Sequence, residues 1–251
     1  MRLIITALLL VPMLCSGMVG LFCPGQMASI GVNPAQFSGL KLWLDAGRTG
    51  ISSGGSLDSW KDFSGDGRDA NQATLSYRPT MTTISFGRQT VLFDGVDDCL
   101  TTLGFTSLNV PLTIFLVWKS TAFPTGAHVI MANSAANNFG FHNDGTSTPR
   151  AYLMNGGVVD TYATSTTSFA VIDIVWNGAS TRFSTNNATF VTGNAGASAT
   201  TLPGLVFGQV TGNYFWGGQI AEVIVYNRDL TTSEHSAISR YLGVKYGLKT
   251  Q

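Results

Sequence analysis

The segment from Trp216 to Gly247 restricts the possible folds more than any other part of this 251-residue chain. Its first part, Gly218–Tyr226, alternates between two sets of side chains, and a period of two predicts a long β-strand. On one face of that strand we expect Ala221, Val223 and Val225, and on the other Ile220, Glu222, Ile224 and Tyr226. A turn then leads into a single closing helix.

The closing helix has sequence signals at both ends. Thr231–Glu234 matches a capping box, in which the threonine caps the first turn and the glutamate reaches back to the threonine amide. Ile238 and Leu242 follow at helical spacing, and Gly247 stands where a helix commonly ends. We expect the stripe of Ile238 and Leu242 to pack against the edge or the end of a β-sandwich.

The rest of the chain consists of short apolar runs separated by glycine, asparagine, proline and serine. Their spacing of about 8–14 residues is typical of an all-β sandwich. Two of the runs, Leu112–Trp118 and Val171–Trp176, are apolar on both faces. Strands that are covered on both sides lie in the middle of a sheet, so these two are predicted to be central strands.

The composition excludes some functional classes. Charged residues make up 11% of the chain, well below the roughly 25% of an ordinary globular domain. Threonine, serine, asparagine and glycine supply the polarity instead, which suits a secreted, cell-surface or virion-exterior protein. The formal net charge is zero and no like-charge run occurs, so the sequence predicts no nucleic-acid partner and no anionic membrane surface.

Residues 1–26 differ from the rest of the chain and have three interpretations. Arg2 precedes an apolar run with the length of a signal peptide. Apolarity can also be extended from Leu3 to Cys23, about the length of a membrane span. A third alternative places the true start at Met27. Membrane contact is therefore predicted only through this segment, and only if it is not cleaved.

Cysteine usage is sparse and does not indicate a disulfide scaffold or a zinc site. The chain has 3 cysteines and no pair at zinc-ligand spacing. A bridge between Cys23 and Cys99 is one possibility in an exported chain. The other is that Cys99 is a small buried apolar side chain, which is how free cysteine commonly behaves.

Four segments resemble the laminin-G-like jelly rolls of the concanavalin A-like lectin and glucanase superfamily. They are Leu42–Ala46, Trp60–Gly67, Val91–Leu100 and Gly218–Gly247. The resemblance implies that residues 37–251 form one jelly-roll sandwich of two antiparallel sheets with one short C-terminal helix. It also implies a group that includes sugar binders, adhesion modules, phage structural proteins and a few glycoside hydrolases.

The carboxylates argue against the hydrolases of that group. Retaining glycosidases need two carboxyl groups about 5–5.5 Å apart, one acting as acid and the other as nucleophile. The chain has two glutamates, Glu222 and Glu234. Glu234 belongs to the helix cap, and Glu222 has no acidic neighbour two or four residues further along its strand. We therefore expect no catalytic residues and no enzymatic activity, and a glycoside hydrolase that uses a pair of aspartates is the distant alternative.

A loop near residue 65 has the pattern of a calcium site. Asp62, Ser64 and Asp66 place oxygen atoms at alternate positions before Gly67, and Asp69 could add a further ligand. The alternative is a turn in which the aspartates and the serine bind backbone amides. A second acidic cluster has the same two interpretations: Asp94, Asp97 and Asp98.

A sugar site needs an aromatic face for C–H groups and amides or carboxylates for hydroxyl groups. Two loop regions hold these residue types: Asn138, His142, Asn143 and Asp144 in one, and Asn213, Tyr214 and Trp216 in the other. The alternative is that the aromatic residues belong to the core and the asparagines form turns. The favoured function is binding of a glycan or cell-surface ligand, in the manner of a lectin or adhesion module. The rival is a virion decoration or fibre protein whose partners are other virion proteins.

Overall fold

A computed structural model describes residues 31–84, 87–105, 108–121, 128–133, 136–143, 150–155, 163–164, 167–194, 202–209 and 214–251. The predicted signal peptide or apolar segment, with its alternatives, lies outside these residues. In chain order the strands are β1 (Leu40–Asp45), β2 (Ser59–Trp60), β3 (Ala70–Asn71), β4 (Thr80–Thr83), β5 (Gln89–Asp94), β6 (Leu100–Thr101), β7 (Leu112–Ser120), β8 (His128–Asn133), β9 (Ala136–Asn143), β10 (Arg150–Asn155), β11 (Ala163–Thr164), β12 (Ala170–Trp176), β13 (Thr181–Thr185), β14 (Val191–Gly193), β15 (Leu205–Phe207) and β16 (Gly217–Tyr226).

The strands form two antiparallel sheets of eight strands each in the described part of the chain. The first sheet has the order β14-β13-β12-β7-β16-β5-β4, and β1 also pairs with β16. The second has the order β11-β10-β9-β8-β15-β6-β3-β2. The prediction of an all-β jelly-roll sandwich is confirmed.

Strand β16 is the centre of the first sheet because three strands pair with it. One edge pairs with β7 over most of its length. The other edge is shared, since β5 pairs with Gly217–Ile220 and β1 pairs with the second half, Glu222–Tyr226. This arrangement brings residues near position 45 next to residues near position 222, which are far apart in sequence.

The two-sided apolar pattern of β7 and β12 has a direct structural cause. One face of each strand packs on the second sheet and contributes Ile114, Leu116, Ile172 and Ile174 to the main core. The opposite face contributes Phe115, Val117 and Val171 to a separate core beneath the C-terminal helix. The prediction that both are central strands is confirmed.

The predicted alternation of β16 is wrong at its midpoint. A register shift against β7 lies between Ile220 and Glu222, so an extra residue is accommodated there. Ile220 therefore joins Val223 and Val225 in the core between the sheets, whereas Ala221 lies in the core under the helix. A regular period of two had placed Ile220 on the opposite face from Val223.

The C-terminal helix, α1, runs from Thr232 to Tyr246, and both predicted ends are confirmed. Thr231 and Glu234 form the capping box, and Gly247 ends the helix with a φ of 66°. The predicted packing is wrong. Ile238 and Leu242 do not meet an edge or an end of the sandwich but cover the outer face of the first sheet. Within the described residues, no helix has the length and apolarity needed to cross a membrane.

A buried polar contact also joins the first turn of α1 to the sheet. Nδ1 of His235 lies 2.6 Å from Oδ2 of Asp173 on β12, and both residues are buried. Burial lowers the pKa of His235, but the hydrogen bond and the charge of Asp173 outweigh it, so the pKa lies above its usual value. Asp173 is the one polar residue in the run Val171–Trp176, and this contact explains its presence.

Cys99 lies in a small apolar cluster with Val129, Ala132 and Val206. Its side chain is buried, and Nε2 of Gln72 donates a hydrogen bond to Sγ at 2.9 Å. Burial raises the pKa of the thiol. These contacts are those of the buried-cysteine interpretation, and Cys23 lies outside the described residues.

Candidate functional site

A buried cluster of charged and aromatic residues lies where the last turn of α1 crosses β1 and β16. Asp45 and Glu222 are direct partners in the register of these two strands. Nζ of Lys245 donates to Oδ2 of Asp45 and to Oε2 of Glu222, each at 2.6 Å. It also donates to the hydroxyl group of Tyr241 at 3.2 Å. One ammonium group thus bridges two carboxylates.

Glu222 has every oxygen occupied by donors of the protein itself. Oε1 accepts from Nε1 of Trp43 at 2.7 Å and from the hydroxyl group of Tyr241 at 3.0 Å. Oε2 accepts from Lys245 and, at 2.9 Å, from the hydroxyl group of Tyr246. Burial raises the pKa of Glu222, against the opposing effect of the Lys245 charge. The cluster fastens the helix to the sheet.

An open cavity of about 720 Å³ adjoins this cluster. Its walls are the segment before β1, the turn after β1, the β4–β5 hairpin and the last turns of α1. The lining residues that bear on its chemistry are Trp43, Asp45, Arg48, Arg88, Gln89, Tyr241, Val244, Lys245 and Tyr246. Volumes of about 300–1,000 Å³ are typical of small-molecule sites, so the cavity can hold a ligand the size of a small oligosaccharide.

The sequence did not predict this cavity, although it contained one signal for it. Glu222 is the one carboxylate in an otherwise apolar stretch, Ile220–Tyr226. A buried charge needs a partner, so it indicated a polar contact across the sheet. Its hydrogen-bond donors come from a different strand and from the helix: Trp43 on β1, and Tyr241, Lys245 and Tyr246 on α1.

The predicted calcium loop is closed by its own hydrogen bonds. Asp62 accepts from the backbone amides of Trp43, Ser64 and Arg68, at 3.0, 2.8 and 2.9 Å. Asp66 is paired with the guanidinium group of Arg68, and Asp69 accepts from the amide of Asp62 and from the ammonium group of Lys61. These contacts are those of the turn interpretation, and calcium binding at this loop stays a prediction.

The second acidic cluster brings three carboxylates together. In the described parts of the chain, oxygens of Asp94, Asp97 and Asp98 lie within 4.8 Å of one another. Oδ1 of Asp94 accepts from the amide of Val96 at 2.8 Å, and Oδ2 of Asp98 accepts from the amide of Asp94 at 2.8 Å. The cluster forms a tight turn after β5, and calcium binding there also stays a prediction.

We expect Asp98→Asn to stabilise the protein at neutral pH. Burial raises the pKa of Asp98 from 3.8 to about 6, opposed by its hydrogen bond to the Asp94 amide and reinforced by the charges of Asp94 and Asp97. Between about pH 4 and pH 6 the Asp98 carboxyl group is protonated in the folded state but ionised in the unfolded state. The free energy of unfolding therefore falls as the pH rises through this range. An amide keeps the acceptor and removes the charge. The gain at pH 7.5 should be about 1–2 kcal/mol and should disappear below pH 4.

Urea unfolding at pH 4.0, 5.5 and 7.5 measures this effect. Asp58→Asn is the matched control, because Asp58 is exposed and lies outside the cluster. Equal pH dependence of Asp98→Asn and the wild type would contradict the prediction.

The structure describes only part of the predicted glycan loops. Asn138, His142 and Asn143 belong to β9 in the second sheet. His142 pairs there with Val129 and Tyr152, so these residues are strand residues and not loop residues as predicted. Asp144 and Asn213 lie outside the described residues.

The two aromatic residues of the second predicted loop differ sharply. Tyr214 is 45% exposed, whereas Trp216 is 0% exposed. Trp216 packs on Phe93 and Trp118 at ring distances of 5.9 and 6.2 Å, and its Nε1 donates to Oγ of Ser120 at 3.1 Å. The prediction of a ligand-binding Trp216 is corrected to a core role, because no face of its ring reaches solvent. Tyr214 keeps the exposure that a binding residue needs.

Comparison with known proteins identifies no family but does find similar folds. No family model and no curated protein matches the sequence. A Trypanosoma rangeli sialidase solved with sialic acid matches with a TM-score of 0.59 and 16% identity, over 83% of this chain and 33% of the sialidase. Domain 4 of an extracellular arabinanase from Geobacillus stearothermophilus, solved with arabinotriose, has a TM-score of 0.58 and 10% identity, over 80% of this chain and 98% of that domain. The binding domain of Botulinum neurotoxin DC, in complex with rat synaptotagmin II, has a TM-score of 0.58 and 10% identity, over 83% of this chain and 52% of the toxin chain.

These similarities establish the β-sandwich fold, and the chain spans about a third of the sialidases that it matches. They do not reach the finer laminin-G-like assignment. The sialidases among these matches overturn the flat prediction that the protein is not an enzyme, but at 16% identity and over about a third of their length they assign no activity to this chain. The sequence argument from Glu222 considered only its own strand, where no second carboxylate lies two or four positions further on. The structure places Asp45 opposite Glu222 on the neighbouring strand, but both carboxylates are buried and bound by Lys245.

Proposed function

We propose that this protein binds carbohydrate in the cavity beside the C-terminal helix. The cavity of about 720 Å³ carries the proposal, because it combines an aromatic wall with charged and amide groups. Tyr241 presents a half-buried ring, and Gln89 and Arg88 supply polar groups. Sugars need this combination of an apolar face for C–H groups and polar groups for hydroxyls.

The fold comparisons support carbohydrate binding as a general class of function. Two of the similar structures were solved with sugars, sialic acid in the sialidase and arabinotriose in the arabinanase domain. We further propose that the sandwich belongs to the laminin-G-like group, on the sequence resemblance of Leu42–Ala46 and Gly218–Gly247. A secreted or cell-surface location fits the low charge content of 11%. The rival proposal of a virion protein receives no support from these comparisons.

A substitution that fills the cavity tests where the sugar binds. Val244 lines the cavity and is 39% exposed, so Val244→Trp should obstruct it without disturbing the core. We expect sugar binding to weaken by about 10-fold or more, equivalent to about 1.4 kcal/mol. The measurement is binding of the purified protein to a glycan array, followed by calorimetric titration of the strongest ligand. Val191→Trp is the matched control, because Val191 is 50% exposed on edge strand β14, away from the cavity.

A second variant distinguishes the cavity from the predicted loops. Tyr214→Ala removes the exposed aromatic residue of the loop region. If it abolishes binding while Val244→Trp does not, the sugar binds at the loops and the cavity assignment is wrong. If no glycan binds the wild-type protein, the proposed function fails.

A further inference from the structure

We infer that the cavity selects sugars that carry a carboxylate, through the guanidinium groups of Arg48 and Arg88. This inference rests on the proposed function and specifies its ligand class. Both arginines line the cavity, Arg88 held by a hydrogen bond from Nε and Arg48 by stacking on aromatic rings. In both, the two terminal NH2 groups have no hydrogen-bond partner among the described residues.

Arg88 lies in the β4–β5 hairpin and reaches across to the end of α1. Its Nε donates to the backbone oxygen of Lys245 at 3.0 Å. No carboxylate of the described residues forms an ion pair with it, and the residue is exposed. The contact fixes the orientation of the guanidinium group and leaves its two NH2 groups free for a ligand, which is the geometry that binds a carboxylate with two parallel hydrogen bonds.

Arg48 lies in the turn after β1 and is held by stacking. Its guanidinium carbon lies 4.5 Å from the ring centre of Trp43 and 4.6 Å from that of Phe63. Its Nε lies 3.5 Å from Oδ2 of Asp45, and 46% of its side chain is exposed. Stacking on two rings limits the rotamers of Arg48, so less conformational entropy is lost when a ligand binds.

The other charges near the cavity cancel only one of these two arginines. Lys245 uses all three of its protons on Asp45, Glu222 and Tyr241. Its charge offsets one of the two carboxylates and Arg48, beside Asp45, offsets the other, so one positive charge, that of Arg88, is left over. A neutral sugar would leave that excess uncompensated, whereas a uronic acid or a sialic acid would neutralise it in a partly desolvated site.

Matched pairs of methyl glycosides test the inference. Methyl β-D-glucuronide and methyl β-D-glucoside differ only in a carboxylate replacing the C6 hydroxymethyl group, and the galacturonide and galactoside form a second pair. We expect at least one acidic member to bind about 10-fold more tightly than its neutral partner in NMR titrations at low salt, with the difference decreasing at high salt. Acetate is the control for an anion without a sugar.

Variants assign the effect to the two arginines. Arg88→Gln and Arg48→Gln should each remove most of the preference for the acidic sugar, and Arg88→Lys should restore only part of it because lysine lacks the planar fork. Arg240→Gln is the control, since Arg240 is exposed on α1 and does not line the cavity. Equal affinity for the acidic and neutral members of both pairs would overturn this inference and leave the proposed function standing. Acetate binding as tightly as the acidic sugars would overturn it too, and failure of every sugar to bind would overturn both.

Discussion

Lys245→Met should destabilise the protein by about 3–5 kcal/mol at pH 7.5, because it leaves two buried carboxylates without their shared counter-charge. Asp45 is 3% exposed and Glu222 is 1% exposed, and each accepts a 2.6 Å hydrogen bond from Nζ of Lys245. Methionine keeps most of the apolar stem of lysine, so the loss of stability measures the missing charge and not a change in packing. The penalty should shrink as the pH is lowered, because Glu222, whose pKa burial already raises, can take up a proton.

Urea unfolding followed by tryptophan fluorescence measures this loss. Lys249→Met is the matched control, since Lys249 is exposed and only four positions away, and we expect it to change stability by less than about 0.5 kcal/mol. The double variant Glu222→Gln/Lys245→Met should be more stable than Lys245→Met alone. Asp45 is then the one carboxylate that has lost Lys245, and the guanidinium group of Arg48 lies beside it. Additive effects of the two substitutions would show that Lys245 and Glu222 are not coupled, and would contradict the bridging role.

The sequence was sufficient for those parts of the fold that depend on local signals. The capping box at Thr231 and the terminal Gly247 rest on contacts within one turn of helix, and both were predicted correctly. The runs Leu112–Trp118 and Val171–Trp176 were recognised as central strands because burial on both sides leaves an unbroken apolar sequence. Their second covering layer, the helix on the outer face, was missed. A doubly apolar strand requires cover on both sides but does not specify which element provides it.

The candidate site could not be predicted because it is assembled from distant positions. Trp43 and Glu222 form a 2.7 Å hydrogen bond across 179 positions of sequence, and Lys245 and Asp45 form one across 200. The cluster also depends on a bulge, since the register shift near Ala221 sets the face on which Glu222 lies. Neither the pairing of β1 with β16 nor the bulge can be detected in the local sequence pattern. Glu222 was therefore recognised as unusual but not as part of a site.

Tyr214 and Trp216 differ in burial, and this difference could not be predicted from the sequence either. Both are aromatic residues in a glycine-flanked segment, and the sequence treats them alike. Their difference comes from the sandwich. At Trp216 the chain enters β16 between Phe93 and Trp118, which are contributed by β5 and β7, whereas Tyr214 precedes that strand and remains outside.

Trp216→Ala should therefore cost about 3–5 kcal/mol of folding free energy, as removal of a fully buried aromatic side chain does. The cavity would lie among Phe93, Trp118 and Gly218, where the backbone fits closely against the tryptophan ring. Tyr214→Ala is the matched control and should change stability by less than about 0.5 kcal/mol. Thermal and urea unfolding measure both variants, and a loss below 1 kcal/mol for Trp216→Ala would contradict the core assignment.

If Trp216→Ala also loses sugar binding, a binding measurement on its folded fraction separates unfolding from the loss of a contact. We expect that fraction to bind as the wild type does, because the ring of Trp216 reaches neither the solvent nor the cavity.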